Sequence, residues 1–430
     1  MLSRFAGGVH PPEQKNTEHS AIEVMPPPKI AYIPFAQHTG KPARPIVKKG
    51  DEVKIGTKIG EPDGFISASV HASISGKVID ITDHPHPVTG SSLCCIIESN
   101  NSEEWIADLR GERDVSDLPG PELLAAVKEA GIVGLGGAAF PTHVKLSPPK
   151  DRKIDTLVVN GCECEPVLTA DHRLMVEDAG SIVEGARIFQ KILDAPNLIF
   201  GIEDNKKDAI ELFGKQGVQV FKLRTKYPQG AEKQLIKAIL RREVPRGGLP
   251  MDVECVVHNI GTCQAAFMAV KFGKPLIDRV LTVAGDGVKQ NKNVLVRIGT
   301  PVRDVIEFCG GYTAEPKKII FGGPMMGIAQ YSDDVPVIKG ASGILVWKDV
   351  MVLEPGPCVR CASCVDACPM GLVPTEIYSF VSSKNFDMAK DYGVLDCIEC
   401  GCCAYVCPAA IPLVHYFKYG KAEVWQRSNQ

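Results

Sequence analysis

Apolar and polar positions alternate in short runs over the first hundred residues. The runs Lys29-Ile-Ala-Tyr-Ile-Pro34, Arg44-Pro-Ile-Val47, Ser67-Ala-Ser-Val-His71, Gly76-Lys-Val-Ile-Asp-Ile81 and Leu93-Cys-Cys-Ile-Ile97 are separated by Gly and Asp turns. That period of two predicts the strands of a small β barrel-sandwich. Residues 1–28, ending in Pro26-Pro-Pro28, carry no such period and read as an irregular extension. From about residue 120 the period changes. Helical patterning covers 122–130, 171–193, 206–215, 231–242 and 262–272, and strand patterning covers 156–160, 198–202, 218–223, 253–257 and 280–283. Alternating helices and strands predict a layered α/β domain with a largely parallel sheet. A smaller α/β piece comes next, with strands at 293–298 and 318–321 around a helix at 302–309. Beyond residue 346 the apolar spacing is helical, around Thr375-Glu-Ile-Tyr-Ser-Phe-Val381, Met388-Ala-Lys390 and a closing helix over 411–425. The expected division is 1–28, 29–119, 120–283, 284–345 and 346–430.

At 430 residues the chain is too long for one core, in keeping with several units. The formal net charge of −3 gives no basic field for nucleic acid. No stretch approaches the roughly 18 uncharged apolar residues of a membrane span, and the first ten residues lack the apolar core of a secretory leader. The unusual count is 16 cysteines, too dilute in 430 residues for a disulfide scaffold.

Eight of them fall in two matching runs, Cys358-x2-Cys361-x2-Cys364-x3-Cys368-Pro369 and Cys397-x2-Cys400-x2-Cys403-x3-Cys407-Pro408. This is the bacterial ferredoxin spacing, in which three thiolates of a run hold one cubane and the fourth reaches the other. The expected sets are Cys358, Cys361, Cys364 and Cys407 for one [4Fe–4S] cluster, and Cys397, Cys400, Cys403 and Cys368 for the second. Zinc more often takes paired C-x2-C knuckles, and disulfides suit an oxidising compartment. Cys402 stands at a position without ligand spacing and reads as a packed residue, like most of the other seven.

Four further stretches carry candidate chemistry. Gly131-Ile-Val-Gly-Leu-Gly-Gly-Ala-Ala-Phe-Pro-Thr-His-Val-Lys145 has a G-x-G-G-x-A pattern. A helix precedes it and Pro141 interrupts the stretch after it, which argues against an ordinary Rossmann turn. Its glycines still let backbone N–H groups cradle phosphate, with Lys145 as a cation. Val159-Asn-Gly-Cys-Glu-Cys-Glu-Pro166 ends a predicted strand, where open α/β sheets bind ligands. Tyr227-Pro-Gln-Gly-Ala-Glu232 opens a helix, and His258-Asn-Ile-Gly-Thr262 ends another strand.

Together these four stretches resemble the FMN-containing, NADH-oxidising subunit of respiratory complex I. The resemblance implies that Gly134, Gly136, Gly137, Lys145, Asn160, Tyr227, Gly230 and Asn259 contact FMN. It also implies that Phe140, Glu163, Glu165 and Glu232 line a pyridine-nucleotide pocket. Cys162, Ala231 and His258 depart from that family's aspartate, glutamate and asparagine. Lys48-Lys-Gly-Asp-Glu-Val-Lys-Ile-Gly56 and Ala72-Ser-Ile-Ser-Gly-Lys-Val78 resemble a lipoyl-type hammerhead. The stretch that would carry the modified lysine, Glu61-Pro-Asp-Gly-Phe-Ile-Ser-Ala-Ser-Val70, has none. The piece at 284–345 resembles an SLBB β-grasp module.

With Phe5-Ala-Gly-Gly-Val-His-Pro-Pro-Glu13 and Phe321-Gly-Gly-Pro-Met-Met-Gly327, nearly the whole chain resembles the RnfC subunit of the Rnf ferredoxin:NAD oxidoreductase complex. The implied fold is multidomain α/β: barrel-sandwich, complex-I-type FMN domain, SLBB module and α-helical two-cluster ferredoxin domain. The implied cofactors are FMN, NAD(H) and two [4Fe–4S] clusters. The implied partners are other subunits of a membrane electron-transport complex, including an iron–sulfur subunit that relays electrons to or from ferredoxin. The resemblance also implies attachment to the cytoplasmic face of the cell membrane through those subunits. A soluble flavin/iron–sulfur cobalamin reductase of the propanediol-utilisation type, and a cluster-bearing wire without flavin, are the alternatives.

Overall fold

The computed structural model describes residues 5–106, 114 and 117–428. Its N-terminal unit is built from two antiparallel sheets. One orders Ile30–Pro34, Gly90–Ser99, Gly76–His86 and Glu52–Val53, and the other Arg44–Pro45, Lys58–Glu61 and Val70–His71. Alternate residues of these strands (Ile33, Ile59, Val78, Cys95, Ile97) meet in one core, as the period of two requires.

The second unit is a parallel sheet in the order Gln219–Leu223, Asn197–Glu203, Thr156–Gly161, Cys255–Asn259. Helices Ala179–Leu193 and Ile260–Phe272 cover it, and Gly185 lies against the Cys263 carbonyl with no room for a side chain. The helix expected over 171–193 is two helices, Ala170–Glu177 and Ala179–Leu193. Asp178 leaves the helical backbone between them, and its carboxylate accepts from Gln264.

A six-stranded mixed sheet comes third, ordered Ile22–Val24, Lys292–Arg297, Asp278–Ala284, Gly343–Trp347, Lys318–Phe321, Ile328–Gln330. Two of its strands correct the sequence reading. Ile22–Val24 lies within the stretch read as irregular. It is a three-residue edge strand held by pairing with Asn293–Leu295, too short and too exposed to show a period. The strand near 280–283 joins this sheet rather than the parallel one, because Leu281 and Val283 pack with Val294, Val296 and Ile344. The C-terminal unit is helical, with Ile377, Val381, Phe386, Val394, Leu413 and Phe417 as its core.

Residues 5–24 form a strap across these units. Gly8 N–H donates to the Ala367 carbonyl at 2.8 Å, and Val9 and Tyr227 exchange two backbone bonds. The Lys15 ammonium donates to the carbonyls of Glu163, Glu165 and Leu168 at 2.6–2.9 Å. Asn293 then donates to the Thr17 carbonyl, and the strap ends as the edge strand. Gly7 lies over the Cys368–Pro369 peptide, where a Cβ would stand 2.5 Å from the carbonyl oxygen. A second tie is Lys339, fully buried, whose Nζ donates to Ser69 O and Gly131 O, both at 2.7 Å. No helix among the described residues is long and apolar enough to cross a membrane.

Candidate functional site

Strands Thr156–Gly161 and Cys255–Asn259 are neighbours at the point where the parallel sheet changes direction of growth. From the first, the chain proceeds outward to Asn197–Glu203 and Gln219–Leu223, then returns to the far side. The carboxyl ends at such a switch point are where open α/β sheets take ligands. Asn160 and Asn259 stand opposite each other in register at those ends. Asn160 donates to the Gly230 carbonyl at 2.8 Å and accepts from Cys162 N–H. Asn259 caps the helix Ile260–Phe272 by accepting from Gly261 N–H, and it donates to Asp171 at 2.5 Å. Burial, with the nearby Glu163 charge, pushes the Asp171 carboxyl up to about 6.

The glycine loop arches over the same ends. Gly134 N–H donates to Phe140 O and Leu135 N–H to Thr262 Oγ1, each at 2.8 Å, while Arg279 holds the Leu135 carbonyl. A Cβ on Gly136 would touch that of Asn259 at 3.4 Å, and Gly137 has φ +108° with open space around it. Gly136, Gly137 and Ala138 are exposed, and their N–H groups bond nothing among the described residues. Lys145, in the last turn of Thr142–Lys145, pairs with Glu232 at 2.5 Å and donates to Val257 O at 2.8 Å. Gly134, Gly136, Lys145, Asn160, Gly230, Glu232 and Asn259 are thus linked by contacts around one strand-end face. Gly137 and the half-buried Phe140 lie on the arch. An exposed amide arch, a cation and two amide side chains suit a flavin phosphate and ring edge.

Three expected residues are engaged by other partners. Glu163 accepts from Asp171 and His172 N–H, capping the helix Ala170–Glu177. Glu165 accepts from Met325 and Met326 N–H, tying the Gly-Gly-Pro-Met-Met-Gly loop to this unit. Burial pushes its carboxyl up to about 7 against those two donors. Tyr227 is 2% exposed, and its hydroxyl donates to the Cys400 carbonyl at 2.7 Å. It points at the second cysteine run.

The cysteines surround two hollows. One is lined by Cys368, Cys397, Cys400 and Cys403. The other is lined by Cys358, Cys361, Cys364 and Cys407. The thiols ring these spaces rather than converging: among the described residues, no three or more Cys, His, Asp or Glu are grouped to hold a single ion. Both runs bend alike. Arg360 and Ala362 in the first have positive φ, as do Glu399 and Gly401 in the second. These left-handed turns bring Arg360 N–H toward Cys358 Sγ at 3.5 Å and Glu399 N–H toward Cys397 Sγ at 3.3 Å. Four thiols around a hollow with inward amides fit a cubane cluster.

The two hollows differ in surroundings. Cys358 and Cys361 are exposed, as is Val359 between them. Around the other hollow, Lys421 donates to the Cys397 carbonyl and Gln234 to the Pro369 carbonyl. Sequence reading missed Lys421, Gln234, Asp171 and Lys15, since each acts through a partner distant in sequence. Cys402 is buried among packing residues, as expected. Burial pushes the thiols of Cys94, Cys95, Cys164, Cys255 and Cys309 up to about 12, which keeps them unreactive.

A phosphate-cradling α/β unit joined to two four-thiol hollows defines an iron–sulfur flavoprotein. Family models agree unit by unit. The RnfC barrel sandwich hybrid domain matches residues 3–102 and the Nuo51 FMN-binding domain 127–267. The SLBB domain matches 280–329 and the 4Fe-4S dicluster domain 350–408. The chain belongs to the RnfC family of subunits of ion-translocating ferredoxin:NAD(+) oxidoreductase complexes. It is 50% identical to the corresponding subunit of the proton-translocating complex of Clostridium ljungdahlii, over 98% of this chain and 94% of that one. It is 44% identical to that of the Na(+)-translocating complex of Acetobacterium woodii, over 98% and 97%. With the counterpart in the ion-translocating oxidoreductase complex of Rhodobacter capsulatus it shares 40% over 99% and 84%. Among solved structures, an NAD+-reducing [NiFe]-hydrogenase in the H2-reduced state aligns over 70% of this chain and 61% of that one, with 16% identity and a TM-score of 0.49.

Proposed function

We propose that the chain is the NAD-reactive, electron-transfer subunit of a membrane ion-translocating ferredoxin:NAD+ oxidoreductase. The observation that carries this reading is the junction at Tyr227. The loop that supplies Gly230 to the amide side chain of Asn160 also supplies the hydroxyl bonded to Cys400. The flavin-type face and one thiol hollow are therefore held by a single short loop.

FMN supplies exchange between a two-electron hydride donor and one-electron carriers. Gly134, Gly136 and Gly137 present backbone amides to it, and Lys145 offers a cation to its phosphate. Asn160, Gly230 and Asn259 position its ring, and Tyr227 fixes the loop behind Gly230. Phe140 and Glu232 border the side where NAD(H) enters. Glu163 and Glu165 act as supports, accepting hydrogen bonds from the backbone N–H groups of Asp171 and His172 and of Met325 and Met326. Cys358, Cys361, Cys364 and Cys407 hold one [4Fe–4S] cluster, and Cys397, Cys400, Cys403 and Cys368 the other. The exposed edge at Cys358 and Cys361 suits electron exchange with a partner iron–sulfur subunit that relays to or from ferredoxin. Attachment is peripheral, through partner subunits, on the cytoplasmic side. The soluble cobalamin reductase is not favoured, because the full-length relatives named above are subunits of ion-translocating complexes.

Anaerobic addition of NADH to the purified chain, with flavin and iron quantified, tests the reading: NADH should bleach the flavin absorbance. Bound flavin that NADH leaves oxidised refutes the nucleotide assignment. Lys145→Ala should weaken FMN binding about tenfold or more, the scale of one lost charged hydrogen bond, while about eight irons remain. Unchanged FMN affinity refutes the phosphate role of Lys145.

A further inference from the structure

The two thiol hollows are built alike but dressed differently. Around Cys368, Cys397, Cys400 and Cys403, three side chains from outside the ligand loops donate to the backbone carbonyls of those loops. Tyr227 Oη donates to Cys400 O at 2.7 Å, Lys421 Nζ to Cys397 O at 2.6 Å, and Gln234 Nε2 to Pro369 O at 3.0 Å. Lys421 is only 9% exposed and pairs at 2.6 Å with Glu399, itself a residue of the cysteine run. Among the described residues, no side chain from another unit is bonded to residues 358–367, which carry Cys358, Cys361 and Cys364. Reduction adds one negative charge to a cluster and its thiolates. Net charge, exposure and hydrogen bonds to the sulfurs set the potential of a cluster. A cation beside a ligand loop therefore favours the reduced form, as does a donor that draws electron density through the carbonyl of a ligand cysteine, and a nearby carboxylate opposes it.

We propose that Tyr227 and Lys421, opposed by Glu399, are positioning residues that raise the reduction potential of the cluster held by Cys368, Cys397, Cys400 and Cys403. They leave the cluster at Cys358, Cys361, Cys364 and Cys407 unaffected. The chain thereby makes two clusters from one repeated motif unequal, with the flavin-side one tuned by residues of the flavin unit and the closing helix. The inference rests on the ligand sets proposed above but not on the reaction with NADH.

The test is a mediator titration of the cluster-loaded chain with dithionite, followed by electron paramagnetic resonance, without NADH. Tyr227→Phe and Lys421→Met should each make one of the two couples harder to reduce, by about tenfold in the reduction equilibrium for the charged group. Glu399→Gln should make the same couple easier to reduce. Lys421→Arg should restore the parent value, and the second couple should not move in any variant. A merely structural role would not give shifts of opposite sign at one couple. The proposal is overturned if both couples move together or if neither moves while about eight irons are retained. It is overturned equally if Glu399→Gln shifts the couple in the same direction as Lys421→Met, or if all the variants lose the iron of one cluster. Failure of NADH to reduce the parent chain would sink the functional reading and leave this one standing.

Discussion

Lys339 offers the sharpest quantitative prediction. Its side-chain nitrogen is fully buried where the barrel-sandwich, the flavin-type unit and the mixed sheet meet, with two carbonyls as acceptors. Burial pulls it from its ordinary 10.5 down to about 7. The unfolded chain therefore keeps a proton above neutrality that the folded chain sheds. Stability from this group rises with pH between about 7 and 10.5 and levels off above. One pH unit is worth about 1.36 kcal/mol per proton. Allowing for partial protonation near pH 7, the folded state gains about 2 kcal/mol between pH 7 and pH 9. Lys339→Met fills the same space, removes the titration and deprives two buried carbonyls of a donor, at about 1–3 kcal/mol each at every pH. Against that loss, the variant is spared the cost of stripping the lysine of its proton at pH 7, so the firm expectation is the change with pH: relative to the variant, the parent chain should gain about 2 kcal/mol from pH 7 to 9. Urea transitions of both chains at pH 7, 8 and 9, followed by tryptophan fluorescence, measure this. Subtracting the two profiles cancels every other titrating group. Parallel profiles would refute the claim that Lys339 is folded as a neutral amine.

The remaining predictions concern the cysteines and the strap. If each fourth cysteine serves the opposite run, Cys407→Ser should abolish the same paramagnetic signal as Cys358→Ser. Cys368→Ser should match Cys397→Ser, and the reverse pairing would overturn the assigned sets. Gly7→Ala adds a methyl 2.5 Å from the Cys368 carbonyl at a backbone φ of +68°. It should loosen the strap, so limited proteolysis between residues 5 and 20 should accelerate severalfold. An unchanged cleavage rate would mean that the Gly8–Ala367 bond does not hold the strap down.

Much of this site was legible because its signals are local. Ligand cysteines recur at fixed short spacing, and both runs fold as one loop repeated, down to the left-handed residues Arg360 and Glu399. The glycine loop and the two strand-end asparagines could be found because each ends or opens a periodic element. The hidden part depends on which distant residue arrives opposite. Ile22–Val24 is a strand only because Asn293–Leu295 offers it an edge. Tyr227 shares a motif with Gly230, yet its ring turns to Cys400, 173 residues away. Lys421 sits on a helix with an ordinary charged pattern, and only the fold puts its ammonium on the Cys397 carbonyl. Glu163 and Glu165 were legible as important but not as backbone caps, since a carboxylate's partners leave no mark in its own neighbourhood.

The strap also sets an order of events during synthesis. Residues 5–9 are made long before their partners, Tyr227 and Ala367. Until most of the chain has emerged, this segment has nothing to close upon, and contacts so far apart in sequence form late. The cysteine loops are complete only after Cys407. Gly7 lies over the Cys368 peptide, so a segment made before the cysteine loops settles only after them. Iron and sulfide delivered before that closure meet an open cradle; delivered afterwards, they must wait for the strap to lift.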